Sequence, residues 1–379
     1  MKKKKIAATV VCCVLVVLIA AGAIVWSQLP HPLTYDIDSI ESIGDSEVTV
    51  IEKTDDEVDI RLPSGRDIKI LTFTDMHLDG KNETSSVTIK NLVRNIQAEK
   101  PDLVILGGDN VTSGLNGVRA KQLGMIFEKL GVYWAGVIGN HEGDNPWSVT
   151  RPAMMEIFTS FEHCLMRKGP DDIDGDCNYV LNIFSGDGDG KKLLRTFWFF
   201  DTFDEMSEEY RQQNNVPADA GKYDGVHENQ IKWYEKKAAE NRAEYGDAPA
   251  TVVLHIPLPQ YKTTVESGAK LLYGVNYDSI CASGFDTGLF DAVKKDGAVD
   301  SVFCGHDHLN SFGVERDGIL LSYMQPSGYG SYGAQKLGFE EKDWLQGYTK
   351  LTVKTDGSFE REGLRNSEIW GVSEAETAD

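Results

Sequence analysis

Five apolar runs in this chain each end on a short polar cluster carrying aspartate, asparagine or histidine. Ile68–Thr74 leads into Asp75-Met76-His77, and Leu103–Leu106 into Gly108-Asp109-Asn110. Val132–Ile138 leads into Gly139-Asn140-His141-Glu142, Thr251–Leu254 into His255, and Val299–Phe303 into Gly305-His306-Asp307-His308. Between the first three runs, Val87–Ala98 and Val118–Leu130 carry apolar residues at helical spacing. Buried strands alternating with amphipathic helices specify parallel strands joined by crossover helices. In open α/β sheets ligands bind beyond the carboxyl ends of the strands, where the turns converge. A chain with five polar turns at that edge is an α/β domain with one polar site.

The pattern continues through the apolar strand Leu193–Phe200 and helices over His227–Arg242 and Thr287–Lys295. Ile319–Met324 and Tyr348–Val353 read as closing strands of a second sheet, and residues 145–225 as a less regular, Asp- and Gly-rich stretch. No repeat or low-complexity linker interrupts residues 67–366, which are expected to form one catalytic domain. Residues 27–66 read as a stalk with entry strands, the alternation being Val48-Thr49-Val50-Ile51, and residues 367–379 as an acidic C-terminal tail.

At the other end, Lys2–Lys5 precede an uncharged apolar run from Ile6 to Trp26. At about 1.5 Å per residue the run matches the ~30 Å hydrocarbon core of a bilayer. It is expected to be a transmembrane anchor over residues 6–26, with residues 1–5 cytoplasmic and the rest outside the cell membrane. Cleavage near Ala23 would instead give a secreted form. The formal net charge of −21 repels phosphate backbones, so long nucleic acid is not an expected partner. No feature specifies an oligomeric state. Cys12 and Cys13 fall in the anchor. Outside it, an oxidising location permits disulfides, with Cys164–Cys177 the expected pair and Cys304 an expected buried thiol. None has the CxxC spacing of a structural zinc site.

The turn residues are metal ligands by type. Asp75 and His77, two apart on an extended segment, can reach one ion. His306 and His308 can serve one ion or two neighbouring ones. Asp109, alone at its strand end, is a natural bridge. Carboxylate, imidazole and amide donors without thiolate suit Mn, Fe or Zn. Two such ions about 3.5–4 Å apart form the arrangement used for phosphoryl displacement. His31, His163 and His227, outside the motifs, are expected to be ordinary satisfied histidines, and Asp79, Glu83 and Asp307 solvated loop acids. Asp174 fits either a substrate-side role or a turn. Ser327–Gly333 fits either a cleft lining or a tight aromatic turn. The Asn82-Glu83-Thr84 sequon bears only on a glycosylating host.

In that order the motifs resemble the calcineurin-like metallophosphoesterases, whose pattern is D-x-H, G-D-x-x-D, G-N-H-[DE], a lone H and G-H-x-H. The likeness covers residues 67–366. Gly169-Pro170-Asp171-Asp172-Ile173-Asp174-Gly175, His255-Ile256-Pro257-Leu258-Pro259 and Gly305–Asn310 resemble one branch, the fungal cell-cycle-regulator phosphatases and plant purple-acid-phosphatase-like proteins. The resemblance implies a four-layer α/β/β/α sandwich with a mixed sheet. It implies two divalent or trivalent ions, one held by Asp75, His77, Asp109 and His308, the other by Asp109, Asn140, His255 and His306. It also implies in-line attack on phosphorus by a hydroxide bridging the ions, with His141 as general acid. The substrate class implied is a phosphate monoester. The alternatives are a phosphodiesterase for nucleotides or lipid head groups, and a catalytically silent binding module. One position departs from the pattern. Thr112 stands where the family has an acid that orients the histidine, and where purple acid phosphatases have the tyrosine ligand of ferric iron. The resemblance therefore leaves His141 without its orienting group, and Glu142 beside it is no obvious substitute.

Overall fold

The computed structural model describes residues 12–22, 33–112, 114, 116–144, 147–186, 191–333 and 345–371. Its strands are β1 (Thr49–Lys53), β2 (Glu57–Leu62), β3 (Ile68–Phe73), β4 (Leu103–Gly107), β5 (Tyr133–Val137), β6 (Tyr179–Ser185) and β7 (Lys192–Phe199). They continue as β8 (Ala250–Val253), β9 (Val299–Cys304), β10 (Gly313–Arg316), β11 (Ile319–Tyr323), β12 (Gly347–Val353) and β13 (Phe359–Arg365). The helices are α1 (residues 12–22), α2 (Asn82–Glu99), α3 (Gly117–Leu130), α4 (Arg151–Thr159), α5 (Glu208–Gln213), α6 (Glu228–Tyr245), α7 (Pro259–Glu266), α8 (Leu289–Asp296) and α9 (Asn366–Trp370).

Two mixed sheets form the body, one ordered β1-β2-β6-β7-β8-β9-β11-β10 and the other β13-β12-β3-β4-β5. Period-2 alternation assigns each strand two faces. On β7 and just after it, Phe197 and Phe199 join the core shared with β3, β4 and α2, whereas Trp198 and Phe200 join the core under α6, α7 and α8. Trp198 meets Tyr234 of α6 edge-on at 4.9 Å. On α2, Ile89, Leu92, Val93 and Ile96 form the buried stripe at spacings of three and four. Pro101 then prevents the helix from continuing.

Several expectations change. Ile319–Met324 and Tyr348–Val353 do not close one second sheet. β11 runs parallel beside β9 (Leu321 opposite Val302), while β12 lies antiparallel to β3 in the smaller sheet (Leu351 opposite Ile70). The entry hairpin, β1 and β2, is an edge of the larger sheet, with β2 parallel to β6 (Ile60 opposite Ile183). Cys164 and Cys177 are separate buried thiols rather than a disulfide. Burial pushes both up, Cys164 to about 12. Cys304 is a buried thiol. Of the expected anchor, residues 12–22 are an exposed helix, while 6–11 and 23–26 lie outside the described residues. Among the described residues no helix is long and apolar enough to cross a membrane. Residues 372–379 of the expected tail also lie outside them.

β3, β4 and β5 are parallel in one sheet, and β7, β8 and β9 in the other. Both sheets deliver carboxyl ends to one region of the molecule, and the polar turns meet there.

Candidate metal centre

All seven side chains expected to hold metal leave those strand ends. Asp75 and His77 follow β3, Asp109 follows β4, Asn140 follows β5, His255 follows β8, and His306 and His308 follow β9. Backbone bonds tie the turns to each other. The Asp75 N–H donates to the Gly108 carbonyl (3.0 Å), the His77 N–H to the Asp109 carbonyl (2.8 Å), and the Gly305 N–H to the His255 carbonyl (3.1 Å). None of the seven is more than 7% exposed.

Two donor sets result. Asp75, His77, Asp109 and His308 form one, and Asp109, His255 and His306 the other, with the donor atoms of each set within 4.8 Å of one another. Asp109 belongs to both. Asn140 joins the second, its Oδ1 3.1 Å from His255 Nε2. The protein does not satisfy these donors by itself. Asp109 Oδ2 and His306 Nδ1 are buried with no hydrogen bond. His77 and His308 bring their Nε2 atoms within 3.0 Å of each other. His255 donates Nδ1–H to the Gly107 carbonyl at 2.8 Å, which makes Nε2, 3.1 Å from Asp109 Oδ2, the nitrogen that a cation can take in exchange for its proton.

The electrostatics ask for positive charge. Burial pulls the His255 imidazole down, but Asp109 outweighs it and holds the group up at about 10. Burial opposes ionisation of Asp109, yet His255 keeps that carboxyl well below the usual range. His77 and His306 fall to about 3, through burial and then the neighbouring imidazoles of His308 and His255 respectively. A pocket with two carboxylates, in which His77 and His306 resist protonation, fits cations held by oxygen and nitrogen.

The backbone is bent for the same purpose. Asp75, His77, Asp109 and His306 all sit at positive φ, at 54°, 44°, 50° and 81°. A side-chain-bearing residue there costs about 1–2 kcal/mol, and such strain collects at functional sites. Close approach also dictates glycine. A Cβ on Gly139 would meet Asp109 Oδ1 at 2.2 Å, and one on Gly328 the Asp75 carbonyl oxygen at 2.2 Å.

His141 differs from the seven. Its side chain is 40% exposed, its N–H donates to Asp109 Oδ1 at 2.9 Å, and its ring centroid lies 5.3 Å from that of His77. Its Nδ1 pairs with the Asp144 carboxylate. Glu142, in the same turn, points inward and is fully buried. It accepts from the N–H groups of Asn110 (2.6 Å) and Gly139 (2.9 Å), clamping two ligand turns together. Tyr332 stacks on His308 at 4.4 Å, and Tyr223 meets His306 edge-on at 4.5 Å. The roles of Asp144, Glu142 and Tyr223 were not read from the sequence, where only the spacing of three between His141 and Asp144 was a signal; Tyr332 lies in the Ser327–Gly333 run, one of whose two readings was a cleft lining.

The other candidates are resolved plainly. His227 lies between Asp174 (2.8 Å) and Asp224 (3.1 Å), and His163 bonds Glu128 at 2.7 Å. His31 lies outside the described residues. Glu83 is exposed, as expected, but in the first turn of α2 rather than in a loop. Asp79 and Asp307 are buried rather than solvated: Asp79 accepts from the Lys81 N–H, and Asp307 from the Tyr323 hydroxyl and the Cys281 N–H. Asp174, spent on His227, is not brought to the donor sets. The Ser327–Gly333 run passes beneath the Asp75–His77 turn and sends Tyr332 against His308.

Comparison with known proteins identifies the family. The calcineurin-like phosphoesterase model matches residues 68–310. The chain belongs to that family. "Probable inactive purple acid phosphatase 14" of Arabidopsis thaliana is 31% identical over 303 residues, covering 70% of this chain and 71% of the relative. "Phosphatase DCR2" of Saccharomyces cerevisiae is 28% identical over 59% of this chain and 38% of its own length. A dimetal phosphatase from Danio rerio superposes with a TM-score of 0.47 at 14% identity, covering 76% of this chain and 93% of that one.

Proposed function

We propose that this chain is a phosphatase that hydrolyses phosphate monoesters with two bound metal ions. The carrying observation is the pair of buried donor sets sharing Asp109. In this reading Asp75, His77, Asp109 and His308 hold one ion, and Asp109, Asn140, His255 and His306 the other. Such a pair supplies charge neutralisation at the phosphoryl oxygens and a nucleophile at neutral pH. The chain's own residues do the rest. Asp109 sets the spacing of the two sites, and the Gly107 carbonyl keeps His255 in its ligating tautomer. His141, open to solvent at the edge of the site, gives its proton to the departing oxygen.

Mn, Fe and Zn all match the donors. Thr112 in place of a tyrosine argues against a ferric-tyrosinate centre. The monoester preference is supported by the phosphatase names of the relatives. The anchored, outward-facing placement belongs to the same proposal, supported by Lys2–Lys5 and the run Ile6–Trp26.

The test is direct. The full chain is stripped of metal and assayed on aryl phosphate against bis-aryl phosphate, with Mn, Fe or Zn restored. Metal-dependent turnover of the monoester, absent in Asp109→Ala, is expected. A strong diester preference would replace the monoester reading with a phosphodiesterase. A second reading, a silent metal-holding module, draws on Thr112 and on the word "inactive" in the name of the Arabidopsis relative. It requires stoichiometric metal with no turnover of either ester.

A further inference from the structure

The imidazole open to substrate has a carboxylate partner that the family pattern does not supply. Asn140 to Asp144 form a tight turn, with a 3₁₀ helix over His141–Gly143 and Asp144 still at helical dihedrals (φ −58°, ψ −28°). In such a turn side chains three apart lie over one another, so Asp144 falls on His141 while Glu142 is sent inward. Asp144 reaches His141 Nδ1, and both side chains are about two-fifths exposed. Two acids beside His141 in the site are committed. Glu142 accepts from Asn110 and Gly139, and Asp109 Oδ1 accepts from the His141 backbone N–H. Thr112, whose N–H donates to the Leu78 carbonyl at 3.0 Å, has no carboxylate to offer.

We propose that Asp144 is the positioning residue for His141, replacing from three residues downstream the acid that Thr112 lacks. This rests on the reading of His141 as general acid. Asp144 accepts the Nδ1–H of the imidazolium, which aims Nε2–H outward at the leaving group. As the oxygen of a water bonds to phosphorus and the P–O ester bond breaks, the departing oxygen takes the Nε2 proton and leaves as the alcohol. The ring is left neutral, with its proton still on Nδ1 and donated in a hydrogen bond to Asp144, and it regains the Nε2 proton from water. Held this way, the ring cannot turn its protonated nitrogen away from the ester oxygen.

Two readouts test it on the full chain. In ¹⁵N-histidine-labelled protein, His141 is assigned by the resonance lost in His141→Ala. At a pH high enough to leave the ring neutral, the wild type should show a fixed Nδ1–H form, and Asp144→Ala a mixture of tautomers, with Asp144→Glu restoring the fixed form. In kinetics, Asp144→Ala should lower kcat on an alkyl phosphate about 10–100-fold and on nitrophenyl phosphate far less, since a good leaving group needs no proton. The double variant His141→Ala/Asp144→Ala should be no slower than His141→Ala. An unchanged His141 spectrum in Asp144→Ala overturns the proposal. So does an equal loss on both esters, or a multiplicative double variant. Should the wild type hydrolyse no ester with any metal, the phosphatase reading fails, while the spectra still decide whether Asp144 holds His141.

Discussion

Asp109 and His141 meet through a single bond, the His141 N–H to Asp109 Oδ1, yet substitution should separate them cleanly. Asp109 is shared by both donor sets, so Asp109→Ala should empty both sites. Metal analysis of the purified variant should find neither ion bound at stoichiometry, and turnover should fall to background. His141→Ala removes no donor from either set. It should retain both ions and lose on the order of 10²–10⁴-fold in turnover of esters with poor leaving groups, the usual worth of a general acid. Loss of metal in His141→Ala would place that ring among the ligands instead. The seven candidate ligands were legible because they stand, singly or two apart, in polar turns after apolar runs. Glu142 was not, because an acid next to His141 in sequence gives no sign of which way the turn will send it.

The turns and the arm around the site are where element-scale predictions lie. Glu142 accepts two backbone N–H groups from two different ligand turns, and each donor left buried without a partner costs about 1–3 kcal/mol. Glu142→Ala should therefore lower the unfolding midpoint of the metal-free chain measurably, where His141→Ala should leave it nearly unchanged. The arm over residues 203–226 is held differently. His227 carries carboxylates at both ring nitrogens, from Asp174 and Asp224, and stacks between Phe203 (4.2 Å) and Tyr210 (3.9 Å). Burial pulls His227 down, but Asp224 and Asp174 outweigh it and raise it above its ordinary value near 6.5. A group raised on folding stabilises below its unfolded value and loses that contribution as pH rises through the folded one. Amide exchange in the arm should thus accelerate as pH is raised from 6.5 upward, beyond the intrinsic rate increase, and His227→Gln should abolish that excess. At this scale the strands with long apolar runs were plain in the sequence, β3, β4, β5, β7 and β9 among them. β13 was not, since an edge strand half in solvent reads as Phe359-Glu360-Arg361-Glu362, without a buried face. Which sheet β11 and β12 enter was equally hidden. Their partners lie about twenty residues upstream in one case and nearly three hundred in the other, and no local pattern encodes such pairing.

For the molecule as a whole, charge and the N-terminal run pull towards different surroundings. A chain of formal net charge −21 gains nothing from an anionic lipid surface, so its body has no electrostatic reason to bind membranes. The run from Ile6 to Trp26 has a strong hydrophobic reason, with each leucine, isoleucine or valine contributing about −0.3 to −0.6 kcal/mol to insertion and no charged residue opposing it. Any membrane attachment should therefore reside in the first residues alone. The full chain, expressed in a cell, should sediment with membranes and stay there through a high-salt wash, because salt weakens surface electrostatics but not the hydrophobic effect. Deleting residues 1–32 should move it wholly to the soluble fraction with its metal content unchanged, since no donor lies before Asp75. Release of the full chain by salt would sink the anchor. A soluble chain whose N-terminus has been trimmed to near Ala23 would replace the anchor with a cleaved leader, and the proposed phosphatase activity would then belong to free solution.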